Sequence, residues 1–300
     1  MQQSTRKMIR MHGWRLDRAL HNYIYFTRYD SYVEWFLRGG RIVRDYLGNV
    51  PLMAPMFKMV FDRYHAKVIT LEDTKKILSL NRSIDMGEAS EMVIPMKYAR
   101  KILLSEPDHI AVMDCPCRKS RENPCLPLNV CMAVGSGVVG FWLEHGEKYN
   151  VRKISQEEAL TIIQSERQKG RITTAWFKVA TGGRTGVICS CCTCCCGGLE
   201  GMRIVKGIKG GEKLSNIIPS GYKIAHEDEK CDSCGKCAEV CMFGAITLSQ
   251  EGRPLYDPAA CYGCGLCVEH CPEGARTLST DFKDILPLDL EDLEKRVPAG

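Results

Sequence analysis

The sequence lacks a hydrophobic run long enough to cross a bilayer. Residues 51–61 (PLMAPMFKMVF) are apolar, but they fall far short of the ~20 residues a spanning helix needs, and Pro55 and Lys58 interrupt them. Core packing is the expectation for this run, with a membrane or partner surface as the alternative. Residues 1–11 (MQQSTRKMIRM) contain no apolar stretch, so nothing there reads as a secretory or twin-arginine leader. No glycine-rich dinucleotide fingerprint follows a strand pattern, and there is no P-loop, which argues against nucleotide-driven chemistry. Histidine is scarce: His109, His145 and His270 are scattered and form no catalytic pattern. No helix-turn-helix pattern stands out, so nucleic acid is not an expected partner.

Cysteine is abundant instead, with 18 in 300 residues. Without a leader, a reducing cytoplasm is the expected compartment, where cysteine-rich chains bind metal rather than form disulfides. So many thiols further suggest a low-oxygen, anaerobic setting. The net charge of +5 conceals an asymmetry: residues 1–70 carry +7 and residues 227–300 carry −8. A basic head suits an anionic lipid surface through peripheral contact, or an acidic protein, and an acidic tail steers toward a basic redox partner.

Composition and periodicity divide the chain into a helical, basic and aromatic segment (1–92), a cysteine-rich α/β metal-binding unit (93–205), a Gly/Lys-rich linker (206–221), a C-terminal domain (222–280) and an acidic tail (281–300). The first 70 residues hold 12 of the 23 aromatic side chains, a density that signals burial. Leu16, Leu20, Tyr23 and Ile24 follow helical spacing. Ser31 is a candidate cap for a short second helix ended by Gly39 and Gly40, with Ile42, Val43, Tyr46 and Leu47 continuing its apolar face. Thr70 and Asp73 form a capping pair. Residues 95–104 and 155–165 read as helices, and 109–113 and 172–179 as strands.

The clearest chemical signal lies near the C-terminus. Cys231, Cys234, Cys237 and Cys241 form C-x2-C-x2-C-x3-C, and Cys261, Cys264, Cys267 and Cys271 repeat it. Three thiolates wrap one cubane from a tight loop, and the fourth ligates the other cluster. The expected ligand sets are therefore Cys231, Cys234, Cys237 and Cys271 for one [4Fe–4S] cluster, and Cys261, Cys264, Cys267 and Cys241 for the other. A hairpin with Gly252 at its turn is expected between the two halves. Zinc is disfavoured here, because structural zinc sites use separated C-x2-C pairs. This block resembles the bacterial-type two-cluster ferredoxins. One departure is Met242, where the pattern has the proline found after Cys271 as Pro272.

Ten cysteines remain, in two groups: Cys115, Cys117, Cys125 and Cys131, then Cys189, Cys191, Cys192, Cys194, Cys195 and Cys196. Read as an extended strand, the second group places Cys189, Cys191 and Cys195 on one face and Cys192, Cys194 and Cys196 on the other. Each face would then join the first group in holding a cluster, giving one or two further iron–sulfur clusters, with zinc as the alternative metal. Arg118 is positioned to offset cluster charge. Residues 93–280 also resemble anaerobe proteins of the "4Fe–4S dicluster" ferredoxin type with an added cysteine-rich domain, in which a Cys-x-Cys-Arg loop and an Ile-Cys-x-Cys-Cys-x-Cys-Cys-Cys run precede the ferredoxin domain.

The expected fold is α+β. The expected function is electron transfer, as a protein or redox-enzyme subunit relaying low-potential single electrons between a carrier and a partner oxidoreductase, rather than a stand-alone enzyme. One alternative is an iron–sulfur reductase whose middle site binds substrate. A redox or metal sensor is the other.

Overall fold

The computed structural model describes residues 5–6, 9–10, 16–80, 84–85, 93–94, 103–104, 106, 108–178, 185–279 and 285–289. Its fold is α+β. Helices α1 (Leu16–Thr27), α2 (Tyr29–Leu47) and α3 (Met53–Phe61) lead into strand β1 (Tyr64–Ile69) and helix α4 (Leu71–Ser79). Short strands β2 (Ile84–Asp85) and β3 (Leu103–Leu104) pair with each other. Then come β4 (Ile110–Asp114), α5 (Pro116–Lys119), β5 (Asn129–Val134), α6 (Ser136–His145), β6 (Arg152–Ile154), α7 (Gln156–Gln168), β7 (Ile172–Lys178), β8 (Thr185–Cys191), α8 (Gly197–Lys206) and β9 (Ile217–Ile218).

These strands form a seven-stranded sheet in the order β6-β4-β5-β8-β7-β1-β9. Its neighbours are antiparallel except for β1 and β9. Period-two alternation gives each strand two burial faces. On one face Val112, Met132, Ala175 and Ile188 pack under α4 and α7. On the other, Met113, Cys131, Trp176, Val187 and Cys191 pack with Tyr25, with Phe141 and Trp142 of α6, and with Leu199 and Met202 of α8. The cysteines of β5 and β8 thus share a face with the aromatic residues of the N-terminal helices.

Several expectations need correction. The segment expected to be helical contributes β1, which pairs with β7, and the expected linker contributes β9 to the same sheet. The second helix neither starts at Ser31 nor ends at Gly39 and Gly40: α2 runs through all three. Gly40 faces α8, where a Cβ would sit 3.4 Å from Ile204, and at Gly197 on α8 a Cβ would lie 2.8 Å from Val33. These glycines allow two helix backbones to approach, a tertiary need that overrides their poor helix propensity. Beyond Gly40, Ile42, Tyr46 and Leu47 are exposed rather than continuing a buried face. Of the helix expected over 95–104, residues 95–102 lie outside the described residues, and Leu103–Leu104 is strand. The acidic tail lies outside them too, apart from 285–289.

Other expectations hold. Thr70 and Asp73 form a reciprocal capping box on α4, and the helix expected over 155–165 is α7, with Ser155 found as its N-cap. Of residues 51–61, Met53–Phe61 form α3; Ala54, Phe57 and Phe61 are buried and Leu52, Met56 and Met59 exposed. Among the described residues, no helix is long and apolar enough to cross a membrane.

The C-terminal block forms β10 (Lys223–His226), α9 (Lys236–Glu239), β11 (Ile246–Leu248), β12 (Pro254–Tyr256), α10 (Leu266–Glu269) and β13 (Arg276–Ser279). β10 pairs with β13, and β11 with β12, around the expected turn at Gly252.

Candidate metal centres

Each C-terminal cysteine loop turns on a left-handed glycine, Gly235 (φ 75°) or Gly265 (φ 81°), which delivers the third cysteine, Cys237 or Cys267, into the first turn of α9 or α10. Two small cavities result. One is lined by Cys231, Cys234, Cys237 and Cys271, and the other by Cys241, Cys261, Cys264 and Cys267. In each, the fourth thiol comes from the other half of the repeat, the arrangement two adjacent cubanes need. Arg276 lines the first cavity, and its guanidinium is buried with Nη1 and Nη2 unpartnered among the described residues. Burial pushes the Cys264 thiol up to about 11 and Cys267 up to about 12. Ionising those two buried thiols takes a strong positive charge, and the four cysteines gathered in each cavity are the donor set of an iron–sulfur cubane.

The remaining ten cysteines sort into four and six. Cys125, Cys192, Cys194 and Cys195 have their sulfurs within 4.8 Å of one another. Cys125 Sγ lies 2.7 Å from Cys194 Sγ, and the Cys125 N–H donates to Cys195 Sγ at 3.3 Å. A single tetrahedral ion with bonds of about 2.3 Å holds its thiolates roughly 3.8 Å apart, so this group is compact enough for one metal. Cys194 is exposed, which puts the site at the surface.

The other six, Cys115, Cys117, Cys131, Cys189, Cys191 and Cys196, line one interior cavity of about 90 Å³, whose wall Cys192 of the surface group also reaches. They arrive from four directions. Cys115 and Cys117 bracket the start of α5, Cys131 sits opposite Cys189 in the β5–β8 register, and Cys191 ends β8 while Cys196 caps α8. Cys131 and Cys189 sulfurs are 3.5 Å apart, and Cys191 and Cys196 sulfurs 3.3 Å. The contact with Cys115 brings Cys117 down to about 6 against the effect of burial, and the same contact, with burial, drives Cys115 up. Cys189 rises in the same way against Cys131. The thiols thus form pairs that share protons, and a bound metal would replace those protons.

The parity reading exchanged two residues. It put Cys195 with Cys189 and Cys191, and Cys196 with Cys192 and Cys194; the structure does the reverse. β8 ends at Cys191, and residues 193–195 turn, so alternation stops before the last three cysteines.

Sequence reasoning noted Arg118 but missed the polar groups around it. Arg118 is buried and donates to Glu166 Oε2 at 2.6 Å, to the Ser190 carbonyl at 3.2 Å and to the Pro127 carbonyl. Glu166 also accepts from Arg171, and from Lys169 at 3.1 Å. Lys178, on the cavity wall, donates to Tyr25 Oη at 2.8 Å and lies 5.1–5.4 Å from the ring centres of Tyr25, Tyr29 and Trp176. The spacing of Tyr25, Tyr29 and Tyr32 is helical and was the available signal for this wall. Lys178 follows a strand pattern and gave none.

The two cysteine-bearing regions meet directly. Arg167 donates to Glu269 Oε1 and Oε2, and to the Cys264 carbonyl at 2.6 Å. Ser220 donates from its N–H to the Tyr262 carbonyl and from its hydroxyl to the Gly263 carbonyl. Tyr262 stacks on Phe243, with centroids 4.0 Å apart, and both pack against the core that contains Cys131, Cys191 and Cys196.

Residues 230–275 match the family model described as "4Fe-4S dicluster domain". Among curated proteins, an uncharacterized polyferredoxin-like protein of Methanocaldococcus jannaschii is 49% identical over 37 residues, which is 12% of this chain and 23% of that protein. The chain thus spans about a quarter of the length of that relative. The C-terminal block, with its paired four-thiol cavities, is a ferredoxin-type 4Fe–4S dicluster domain.

Proposed function

We propose that this protein relays low-potential single electrons from an external carrier, through the two C-terminal clusters, to the interior cysteine site and on to a partner oxidoreductase. The ligand sets would be Cys231, Cys234, Cys237 and Cys271 for the outer cluster, and Cys241, Cys261, Cys264 and Cys267 for the inner one. The observation that carries this reading is the seating of the Cys264 loop on Arg167, with Tyr262 and Phe243 packed into the core that holds the cavity thiols. With that seating the inner set would face the middle of the molecule, and the exposure of Cys234 supports the outer set as the side on which a carrier would dock. Each transfer moves one electron: the carrier is oxidised and the receiving site reduced.

The cavity accommodates a negatively charged group. Arg118 and Lys178 line it, and no carboxylate does among the described residues. Arg118 Nε is buried there without a partner among those residues. The surface group Cys125, Cys192, Cys194 and Cys195 would hold a separate metal centre, iron–sulfur or zinc. A reducing, low-oxygen cytoplasm suits this many reduced thiols.

The test is rapid-freeze electron paramagnetic resonance of the full chain mixed with a one-electron donor. Interior reduction should follow reduction of the C-terminal clusters and slow at least tenfold on the scale of cluster-to-cluster transfer in Cys234→Ala, which disables the outer set. An unchanged interior rate in that variant would exclude the relay.

A further inference from the structure

Resting on that reading, the number of thiols in the interior cavity points beyond a single cubane. In a cubane each iron is held by three sulfides and has one outward position, so one cubane takes four protein thiolates and two separate cubanes take eight. Two cubanes joined through one shared atom satisfy one iron of each internally, and the remaining outward positions number six. Seven cysteines reach the cavity wall: Cys115, Cys117, Cys131, Cys189, Cys191, Cys192 and Cys196. The Cys192 sulfur lies within 4.8 Å of those of Cys125, Cys194 and Cys195 and belongs to the surface group, which leaves six. The sulfurs of the other four middle cysteines, Cys192 among them, are gathered in the surface group, so a second separate cubane in the cavity would have to take its ligands from that group.

We propose that all six thiolates hold one fused iron–sulfur cluster, two cubanes sharing a bridging atom, between α2, α5, β8 and α8.

The surroundings favour this over a cubane with two idle thiols. The six form three close pairs: Cys131 with Cys189 at 3.5 Å, Cys191 with Cys196 at 3.3 Å, and Cys115 hydrogen-bonded to Cys117. Any four ligands chosen for a single cubane leave two further thiols on the wall of the same cavity. The cavity, at about 90 Å³, is several times the ~10–15 Å³ that one water requires. Gly197, Gly198 and Gly201 line it where side chains would fill the space; a Cβ on Gly197 would stand 3.5 Å from Cys117 Sγ. The charge pattern agrees. Six thiolates and their sulfides form a strongly anionic group, and Arg118, Lys178 and the buried Ser190 hydroxyl, unpartnered among the described residues, lie around it.

The experiment counts iron in the full chain purified without oxygen and reconstituted to constant iron content, in a Cys125→Ala/Cys194→Ala variant that removes the surface site. With two cubanes in the C-terminal domain, a fused interior cluster gives about sixteen iron atoms per chain. Its Mössbauer spectrum should then divide about equally between ordinary cubanes and a second species. About twelve irons means a single interior cubane and overturns the inference while leaving the relay intact. About eight means no interior iron and overturns both. If the variant does not accumulate, iron and zinc are measured together in the unaltered chain. About twenty irons without zinc, or about sixteen with one zinc, supports the fused cluster, and about twelve irons overturns it. About sixteen without zinc supports it where the Mössbauer spectrum divides equally between ordinary cubanes and a second species, and overturns it where only ordinary cubanes are seen.

Discussion

Replacing Glu166 with alanine should loosen the cysteine loops without touching a thiol. Glu166 and Arg118 are each about 1% exposed, and their 2.6 Å contact is the carboxylate's buried link to the loop that carries Cys115, Cys117 and Cys125. Removing the carboxylate leaves a guanidinium buried and uncompensated, which costs about 3–5 kcal/mol. Arg171 and Lys169, the other donors, are closer to solvent, at 12% and 45% exposure, and rehydrate at little cost. At about 1.4 kcal/mol per factor of ten, the loop-opening equilibrium should rise roughly a hundred- to a few-thousand-fold. Hydrogen-exchange mass spectrometry over residues 115–131 measures this directly. The double variant Arg118→Met/Glu166→Met removes both charges. It orphans only the Pro127 and Ser190 carbonyls that Arg118 also serves, at about 1–3 kcal/mol. The double variant should therefore be milder than either single one. A double variant whose cost equals the sum of the two single costs would refute the account, because the two charges would then be acting independently. The link also has a pH signature. Burial alone would raise the Glu166 pKa, but hydrogen bonds from Arg118 and Arg171 outweigh it and hold the carboxyl below its ordinary 4.5. Its contribution is thus complete above the ordinary carboxyl range and is lost as pH falls through the depressed value, a loss that the Glu166→Ala variant should not show.

Three further outcomes are expected. Cys234→Ser should disturb the cluster assigned to Cys231, Cys237 and Cys271 while the other C-terminal cluster keeps its paramagnetic signal; simultaneous loss of both would contradict the assigned sets. Gly263→Ala should cost the chain its inner cluster or its fold, since φ is +62° there and a Cβ would lie 2.2 Å from the Tyr222 carbonyl oxygen, which is backbone and cannot swing aside; wild-type stability and iron content would show that the loop adapts. Electron exchange with a basic acceptor protein should slow as ionic strength rises, because residues 227–300 carry −8, and a rate that is flat between low and physiological salt would show that this charge does no steering.

The sequence alone determined the chemistry of the C-terminal block. Two C-x2-C-x2-C-x3-C runs with glycines at the turns specify their own loops, because the ligand spacing, the left-handed glycines and the short helices that follow all lie within a few residues. For the same reason the capping box at Thr70 and Asp73, the hairpin at Gly252 and two strands of the middle unit, β4 and β7, were legible: each depends on local chemistry or on period-two alternation. Tertiary structure decided what depends on residues far apart in the chain. The continuation of α2 through Gly39 and Gly40 reflects the approach of α8, more than 150 residues later. The division of the ten middle cysteines into four and six depends on where β8 stops: past Cys191 the chain turns, and alternation no longer assigns a face. The basic, aromatic head looked like a separate partner-binding segment. It instead supplies a strand of the central sheet and the tyrosine wall of the cavity, because β1 finds its hydrogen-bond partners on β7, across more than 100 residues of chain. Short-range patterns named the ligands, and long-range strand pairing decided which of them share a site.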